Sequence, residues 1–380
     1  MKSNYNKLGN YIAESKLKNK DSSETNLVGL SNEKKFIKSK ANIVGADLTK
    51  YKLISHNQFV YMPTTSRNGD KISVALFKEN SGMISSSYTV FGVDSNLLNP
   101  DYLMLWFERP EFDRYARYHS HGSVREIFSW EDMKNTELFV PPLEQQNKVV
   151  GIKNIIENRI SVLKKLNNNL LQLSKVIFKN WFVDFEPFGG VQPNDWRMST
   201  LEEVCDLNAG GDKPKVVSDE ITDSCIYPIY SNGLDNDGLY GYTNQAKIFE
   251  ECVTVSARGT IGFVCLRHTP YVPIVRLVSV IPKKEFISAK YLYLFLDRLN
   301  IMGTGTTQQQ LTIPDFKKTE ILVPTFDIIE SFTNYLNPLF EKIWVQEEEI
   351  KKLSKLRDTL LPKLMSGEID VSKINCDLEV

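Results

Sequence analysis

A segment of twenty residues occurs twice in this chain. Residues 122–141 align without a gap onto residues 305–324, and seven positions are identical. Unrelated segments of average composition would share roughly one residue in such an alignment. The likeness therefore predicts that part of the chain is duplicated. The identical pairs are Gly122/Gly305, Asp132/Asp315, Lys134/Lys317, Thr136/Thr319, Glu137/Glu320, Val140/Val323 and Pro141/Pro324.

The likeness continues on both sides of this segment. Upstream, residues 102–107 resemble residues 291–296, and downstream each copy runs into a long stretch with apolar residues at helical spacing. The repeated unit is far longer than the roughly 20 to 50 residues of solenoid repeats. The sequence thus predicts a duplicated α+β domain, with each copy followed by a long helix.

Gly and Pro residues, which interrupt helices and strands, divide the chain into four predicted segments. The two domains cover residues 1–142 and 187–326, the central helix 143–186, and the distal helix with its tail 327–380. Within the domains, strand-like runs alternate with helices predicted over 101–117 and 288–299, and a strand over 137–140 closes the first domain.

The two long helices each carry an apolar stripe, and they are predicted to pack on each other in an antiparallel coiled coil with approximate two-fold symmetry. Pro338 is expected to kink or split the distal helix, and Pro362 makes its last turn doubtful. A buried Gln346 or Arg357 would fix the register at some cost in stability. The alternative is that the stripes are ordinary core faces of separate domains. The predicted helix-pairing residues are Ile156, Ile160, Leu163, Leu166, Leu170, Leu173, Ile177, Leu336, Leu339, Ile343, Ile350, Leu353, Leu360 and Leu364.

Composition narrows the class of protein. With 42% hydrophobic residues in 380, the chain can bury two or three ordinary cores. It has no run of 18 apolar residues and no apolar signal core near its start, so a cytoplasmic protein without a membrane segment is expected. Five cysteines without a CxxC pair predict free thiols. Residues 1–186 carry a net charge of +6 and residues 187–380 of −7, an asymmetry too weak to identify a ligand.

No complete catalytic or metal-binding pattern is present in the sequence. His119 and His121 form an HxH pair, but no Asp, Glu or Cys stands at ligand spacing. The segment from Asn99 to Tyr102 reads NPDY and lacks the second proline of an amino-methyltransferase pocket, and no phosphate-binding loop is found. The absence of such patterns favours recognition over catalysis, and we expect no metal.

Four segments together resemble a known family. These are the central run PPLEQQ to FEPF (residues 141–188), KLSKLRDTLLPKLMSGEIDV (352–371), SARGTIGFV (256–264) and GTTQQQLT (305–312). They look like the conserved helical regions and a target-recognition domain of the DNA-specificity subunit of Type I restriction-modification systems. The first domain lacks a GTIG-like turn and a Trp-containing start, so it resembles a different recognition subclass.

This resemblance implies a non-catalytic subunit with two target-recognition domains. Each domain would read one half of a split double-stranded DNA target, and the paired helices would separate the domains and dock two methyltransferase subunits. Restriction subunits would complete the complex. The chain itself would bind no cofactor, because S-adenosylmethionine belongs to the methyltransferase subunit, and ATP and Mg to the restriction subunit.

Side-chain chemistry suggests which residues contact DNA. Arg suits guanine O6/N7 or a phosphate, and Gln suits adenine N6/N7. Each candidate has the alternative of being a solvated loop residue or of making an internal hydrogen bond. The candidates are Arg67, Asn68, Arg114, Arg117, His119, His121, Ser123 and Arg125 in the first domain, and Arg258, Thr306, Thr307, Gln308, Gln309 and Gln310 in the second.

Two other functions are compatible with parts of the sequence. A protein-interaction scaffold of duplicated domains on a coiled coil would need no DNA contact. A self-sufficient methyltransferase or nuclease would need the catalytic motifs that the sequence lacks.

Overall fold

The fold is that of two compact α+β units. A computed structural model of the chain describes residues 5–39, 47–65, 71–122, 125–299, 301 and 311–373. Unit 1 comprises Met1–Val162 with Ile350–Val380, and unit 2 comprises Leu163–Glu349. Each unit therefore combines one sheet-containing domain with a part of each long helix.

Unit 1 is built from short strands and three short helices, followed by the first long helix. Its strands are β1 Tyr5–Lys7, β2 Ile12–Ser15, β3 Val28–Leu30, β4 Phe36–Lys38, β5 Lys52–Ser55, β6 Phe59–Tyr61, β7 Val74–Leu76, β8 Ser81–Ile84, β9 Thr89–Val93 and β10 Glu137–Phe139. Its helices are α1 Pro100–Phe107, α2 Pro110–Tyr118 and α3 Trp130–Asn135, and the long helix α4 is Leu143–Phe182.

Unit 2 repeats this plan after α4. Its strands are β11 Arg197–Thr200, β12 Cys205–Ala209, β13 Tyr227–Tyr230, β14 Leu239–Thr243, β15 Cys252–Val255, β16 Val264–Arg267, β17 Val272–Pro273, β18 Val278–Pro282 and β19 Glu320–Val323. Its helices are α5 Leu201–Val204, α6 Ala289–Arg298 and α7 Ile313–Phe316, and the second long helix α8 is Phe326–Ser366.

The sheets of the two units have the same topology, and the predicted duplication is thereby confirmed. The main sheet of unit 1 has the strand order β2-β9-β6-β7, and that of unit 2 has the order β12-β18-β15-β16. All neighbours in both sheets are antiparallel. The first and last strands of each unit also pair, as β1 with β10 and as β11 with β19. In each unit the chain thus returns to pair with its first strand before it enters a long helix.

The threonine shared by the two copies has the same structural role in each. In unit 1 the carbonyl of Thr136 accepts a hydrogen bond from the amide of Leu8 at 2.8 Å. In unit 2 the carbonyl of Thr319 accepts from the amide of Leu201 at 3.0 Å. Both bonds tie the closing segment to the residue that follows the first strand.

The shared aspartates hold the N-termini of two short helices. The Ser129 hydroxyl donates to the Asp132 carboxylate at 2.5 Å, and the Asp132 amide donates back to the hydroxyl at 3.1 Å. In unit 2 the Thr312 hydroxyl donates to the Asp315 carboxylate at 2.6 Å. The pair in unit 1 is a full capping box, whereas the Thr312 side chain bonds only the Asp315 carboxylate, so the shared aspartate holds the N-cap side chain in both units.

The single helix predicted over residues 101–117 is wrong. The structure has two helices, α1 and α2, separated by Glu108 and Arg109. Pro110 has no amide hydrogen to continue the α1 hydrogen-bonding ladder, but it is well suited to the first turn of a new helix. The helix predicted over residues 288–299 is confirmed as α6, which is capped by the Ser288 hydroxyl.

The long helices share a core within each unit. In unit 1, Ile152 and Ile156 of α4 belong to the same buried cluster as Leu364 of α8. In unit 2, the rings of Phe182 and Phe332 lie 4.7 Å apart, while Asn167 Nδ2 donates to the Ile343 carbonyl at 3.4 Å. Along α4 the contacting residue changes from Asn167 to Phe182, while its partner on α8 changes from Ile343 to Phe332. The parts of α4 and α8 that belong to unit 2 therefore run antiparallel.

The predicted stripes need one correction. Most of their residues are buried or pack against a buried cluster, but Leu166 is 39% exposed and Leu173 is 47% exposed. A strict 3.5-residue pattern drifts about 20° per heptad around a straight α-helix. Successive residues of such a pattern therefore turn gradually away from the neighbouring helix. Gln346 of the α8 stripe is 3% exposed, whereas Arg357 is half-buried.

The prolines do not split the second long helix. α8 continues through both Pro338 and Pro362, so the predicted split and the doubtful last turn are wrong, while a kink at Pro338 stays a prediction. Both prolines are exposed, while Leu336 and Phe340 on either side of Pro338 are buried. The carbonyls that lose their helical partners therefore lie on the side where water can replace them.

In the described ranges, no helix is long and apolar enough to cross a membrane.

Candidate nucleic-acid interface

The same two loops are joined in each unit. The first loop follows β6 or β15, and the second precedes α3 or α7. In unit 1 the amide of Phe128 donates to the carbonyl of Pro63 at 2.9 Å, and in unit 2 the amide of Leu311 donates to that of Ala257 at 3.0 Å. Phe128 and Leu311 are aligned positions of the repeat. In both units this aligned residue therefore bonds to the loop that follows the equivalent strand.

Gly122 closes the second loop of unit 1. The backbones of His121 and Ile127 exchange hydrogen bonds of 3.2 and 3.0 Å across it. Gly122 has a φ of +145°, and a Cβ atom added there would lie 2.1 Å from the carbonyl oxygen of Arg125. Only glycine fits this position, which gives a physical reason for one of the seven identities.

Replacing Gly122 with alanine should therefore open this loop. Backbone strain of this kind costs about 1–3 kcal/mol. We expect the Ile127 amide to lose protection from hydrogen exchange, because its bond to the His121 carbonyl breaks. The matched control is Gly92→Ala in β9, where an added Cβ meets no atom within 4 Å. Unchanged Ile127 protection in the Gly122 variant would contradict this interpretation of the loop.

The structure places the described unit 1 candidates on α2 and on the loop after it. Arg114, Arg117, His121 and Arg125 are exposed, and His119 is partly buried. The Arg114 guanidinium forms an ion pair with Glu111 at 3.2 Å. The remaining candidates of this unit, which are Arg67, Asn68 and Ser123, lie outside the described residues.

An exposed aromatic residue among these cations was missed from sequence. Tyr118 is 80% exposed, and its ring lies 5.1 Å from that of His119, which in turn lies 4.3 Å from the Tyr115 ring. Aromatic rings beside cations are suited to stacking on bases. The pattern YARYH, in which aromatic residues are interleaved with arginine and histidine, was the available signal.

In unit 2, Arg258 lies in the loop between β15 and β16. It is exposed and lines a cleft together with Lys213 and Arg276, neither of which sequence reasoning had singled out. Arg276 is the first residue of the apolar run RLVSVIP, and Val278–Pro282 of this run form β18. The other predicted readers of this unit, which are Thr306, Thr307, Gln308, Gln309 and Gln310, lie outside the described residues.

No group of three or more His, Cys, Asp or Glu residues within the described part of the chain is arranged to hold a metal ion. Burial raises the pKa of the Cys252 and Cys265 thiols to about 11, so both are protonated at neutral pH. Cysteines 205, 225, 252 and 265 are free, as predicted, and Cys376 lies outside the described residues.

Fold and loops together define a class of protein. Two units of one topology each carry an exposed arginine on one of the bonded loops, Arg125 in unit 1 and Arg258 in unit 2. A duplicated fold with cations at these loops suits the recognition of an anionic polymer.

Comparison with known proteins gives the family. Residues 193–361 match the Type I restriction modification DNA specificity domain. The MjaIX specificity subunit of Methanocaldococcus jannaschii is 25% identical over 302 residues, which cover 72% of this chain and 70% of that protein. The C-terminus of a putative type I specificity subunit of Mycoplasma pneumoniae is 35% identical over 99 residues, which cover 26% of this chain and 68% of that protein.

A solved structure has the same fold along nearly the whole chain. The S subunit of a Type-I restriction-modification system from M. genitalium superposes with a TM-score of 0.61 and 14% identity, over 95% of both chains. The chain belongs to the specificity subunits of Type I restriction-modification systems. It is accordingly a DNA-recognition component without catalysis of its own.

Proposed function

We propose that this chain reads a bipartite, asymmetric target in double-stranded DNA, with one half read by each unit. In a cytoplasmic complex it docks two methyltransferase subunits and the restriction subunits. Those partners hold S-adenosylmethionine, ATP and Mg, and this chain holds no cofactor. The observation that carries the proposal is that equivalent hydrogen bonds join equivalent loops in both units, while the residues on those loops differ.

The shared frame explains why both loops meet the DNA in a similar way. The bonds Phe128–Pro63 and Leu311–Ala257 anchor the loops at matching places of matching sheets. Twelve residues of sequence separate β6 from β7, whereas eight separate β15 from β16. The sequence of a DNA site is recognised by contacts to its bases, whereas the shared sheet topology only positions the loops. Because the loops of the two units differ, they predict two different half-sites.

Mapping of methylated bases tests this division. Cells would express the chain with its methyltransferase partner, and the modified site would be determined for wild type, for Arg114→Ala with Arg117→Ala, and for Gln308→Ala with Gln309→Ala and Gln310→Ala. Loss of an Arg contact to guanine or of a Gln contact to adenine lowers discrimination by about 1–3 kcal/mol. We expect the unit 1 variant to relax only one half of the site and the unit 2 variant only the other half.

Two results would contradict the division. If each variant relaxed both halves equally, the units would not read separate halves. If the chain directed no sequence-specific methylation in the wild-type complex, it would act as an interaction scaffold instead.

The docking surface of the methyltransferase is proposed to be the outer face of α4. Within unit 2 this face carries the exposed apolar residues Leu166, Leu173 and Val176. Their spacings of seven and three residues place them on one side of the helix. Since these apolar side chains are exposed in the unit, they suit an apolar partner surface.

Serine substitutions at Leu166 and Leu173 separate docking from folding. Both side chains are exposed, so we expect unchanged thermal stability of the isolated chain but loss of the methyltransferase subunit from the complex in size-exclusion chromatography. The control is Ile226→Ser, which removes a similarly exposed apolar side chain outside the helix. A complex that stays intact with both leucines replaced would rule out this face.

A further inference from the structure

Three cations of unit 2 surround one cleft of about 440 Å³. Lys213, Arg258 and Arg276 line it, and Asp212 is the one carboxylate among its lining residues. The excess of positive charge favours an anionic ligand. Lys213 is held in place, because its ammonium donates to the Tyr240 hydroxyl at 2.8 Å.

Arg276 stands on a strained turn. Val275 and Arg276 have φ values of +52° and +63°, in the left-handed region that residues other than glycine rarely adopt. Their amides donate to the carbonyls of Gly211 and Gly210, each at 3.0 Å. A strained conformation persists only where the surrounding structure imposes it, and such strain concentrates at functional sites.

One side chain links this turn to the loop that carries Arg258. Asn232 Nδ2 donates to the carbonyl of Val275 at 2.7 Å, and Asn232 Oδ1 accepts from the amide of Ala257 at 2.8 Å. Val275 directly precedes Arg276, and Ala257 directly precedes Arg258. The Asn232 amide therefore fixes the separation of the two arginine-bearing backbones.

We propose that Arg258 and Arg276 clamp one phosphate of the DNA backbone beside the half-site of unit 2, with Asn232 as the positioning residue. This inference rests on the proposed function. Two guanidinium groups that approach from separate turns suit the several oxygens of a phosphate, and such contacts are charge-assisted. Phosphate contacts set the register of a protein on the duplex. The clamp would thus align the adjoining base-reading loop.

The test uses the full-length chain in complex with its methyltransferase subunits. The probe is a duplex that carries the mapped methylation site, with a second duplex altered in the unit 2 half. Affinity is measured over a range of salt concentrations. Arg276→Ala should weaken binding to both duplexes about tenfold, since it removes a charged hydrogen bond. It should also reduce the slope of log affinity against log salt by about 0.9.

Two further variants separate positioning from charge. Asn232→Ala should lower the salt slope in the same way, and in combination with Arg276→Ala it should lower it no further. The control is Lys284→Ala, an exposed lysine that follows the opposite end of β18. This control should change neither affinity nor slope. Arg276 is exposed, so its variant remains informative if Asn232→Ala does not fold.

The outcomes distinguish the clamp from the proposed function. A wild-type complex that binds both duplexes equally would overturn both. A wild-type complex that prefers the intact site, with unchanged affinity and slope for Arg276→Ala, would overturn the clamp alone. If Arg276→Ala weakened binding only to the intact site and left the slope unchanged, the residue would be a base reader and the phosphate assignment would be wrong.

Discussion

Replacement of Phe332 with alanine should lower the free energy of unfolding of unit 2 by about 3–5 kcal/mol. Phe332 lies on α8 and is fully buried. Its ring lies 4.7 Å from that of Phe182 and 6.1 Å from that of Phe178, both on α4, and 6.3 Å from that of Tyr291 on α6. The truncation would leave a cavity where both long helices meet the domain, because rigid neighbours collapse only partly into the space.

The free thiols of unit 2 provide the measurement. Cys205 and Cys252 are buried, so a thiol reagent labels them only after the unit opens. Labelling as a function of denaturant concentration would then report the stability of unit 2 separately from that of unit 1. The control is Tyr335→Ala on the same helix, where the side chain is 62% exposed and little stability should be lost. Equal losses for the two variants would contradict the packing described for α8.

Replacement of Lys34 with alanine should destabilise unit 1 by about 3–5 kcal/mol. The Lys34 ammonium lies 2.8 Å from the Asp113 carboxylate, and the side chains are 7% and 13% exposed. It also donates to the carbonyl of Phe107, the last residue of α1. Burial lowers the pKa of Lys34, while Asp113 opposes that shift by favouring the charged form. Without the lysine, the carboxylate would remain buried without its countercharge.

Hydrogen exchange of unit 1 peptides measures this loss. The control is Lys71→Ala, which breaks the ion pair with Glu33 at 3.1 Å, where the side chains are 50% and 74% exposed. A solvated pair of this kind contributes about 0–1 kcal/mol. A second variant, Lys34→Met with Asp113→Leu, removes both charges and should recover much of the stability. If the double variant were as unstable as Lys34→Ala, an unpaired buried charge would not be the cause.

Local sequence was sufficient for the two long helices and for α6, because their signals lie within a few residues. The long helices follow from apolar spacing, and the start of α6 follows from Ser288. Prolines were less informative. Pro110 ends one helix and starts another, whereas α8 continues through Pro338, although both prolines are exposed.

The candidate interface could be predicted only in part. Arg258 was selected because it follows a strand-like run, but Arg276 and Asn232 were not, since nothing in their neighbourhood marks them. They adjoin Arg258 only because β17 and β18 bring distant residues to one edge of the unit. The buried pair of Lys34 with Asp113 was missed for the same reason, since the two residues lie 79 positions apart.

The sequence by itself determined the duplication, the order of domain and helix in each copy, and the family. These properties are recorded in residue identity and in periodicity, both of which are local. Tertiary structure alone decided which loops adjoin, through the bonds Phe128–Pro63 and Leu311–Ala257, and which stripe residues are buried, with Leu166 and Leu173 left exposed. The physical reason is that such contacts join residues far apart in the chain, and they form only when whole sheets and helices pack.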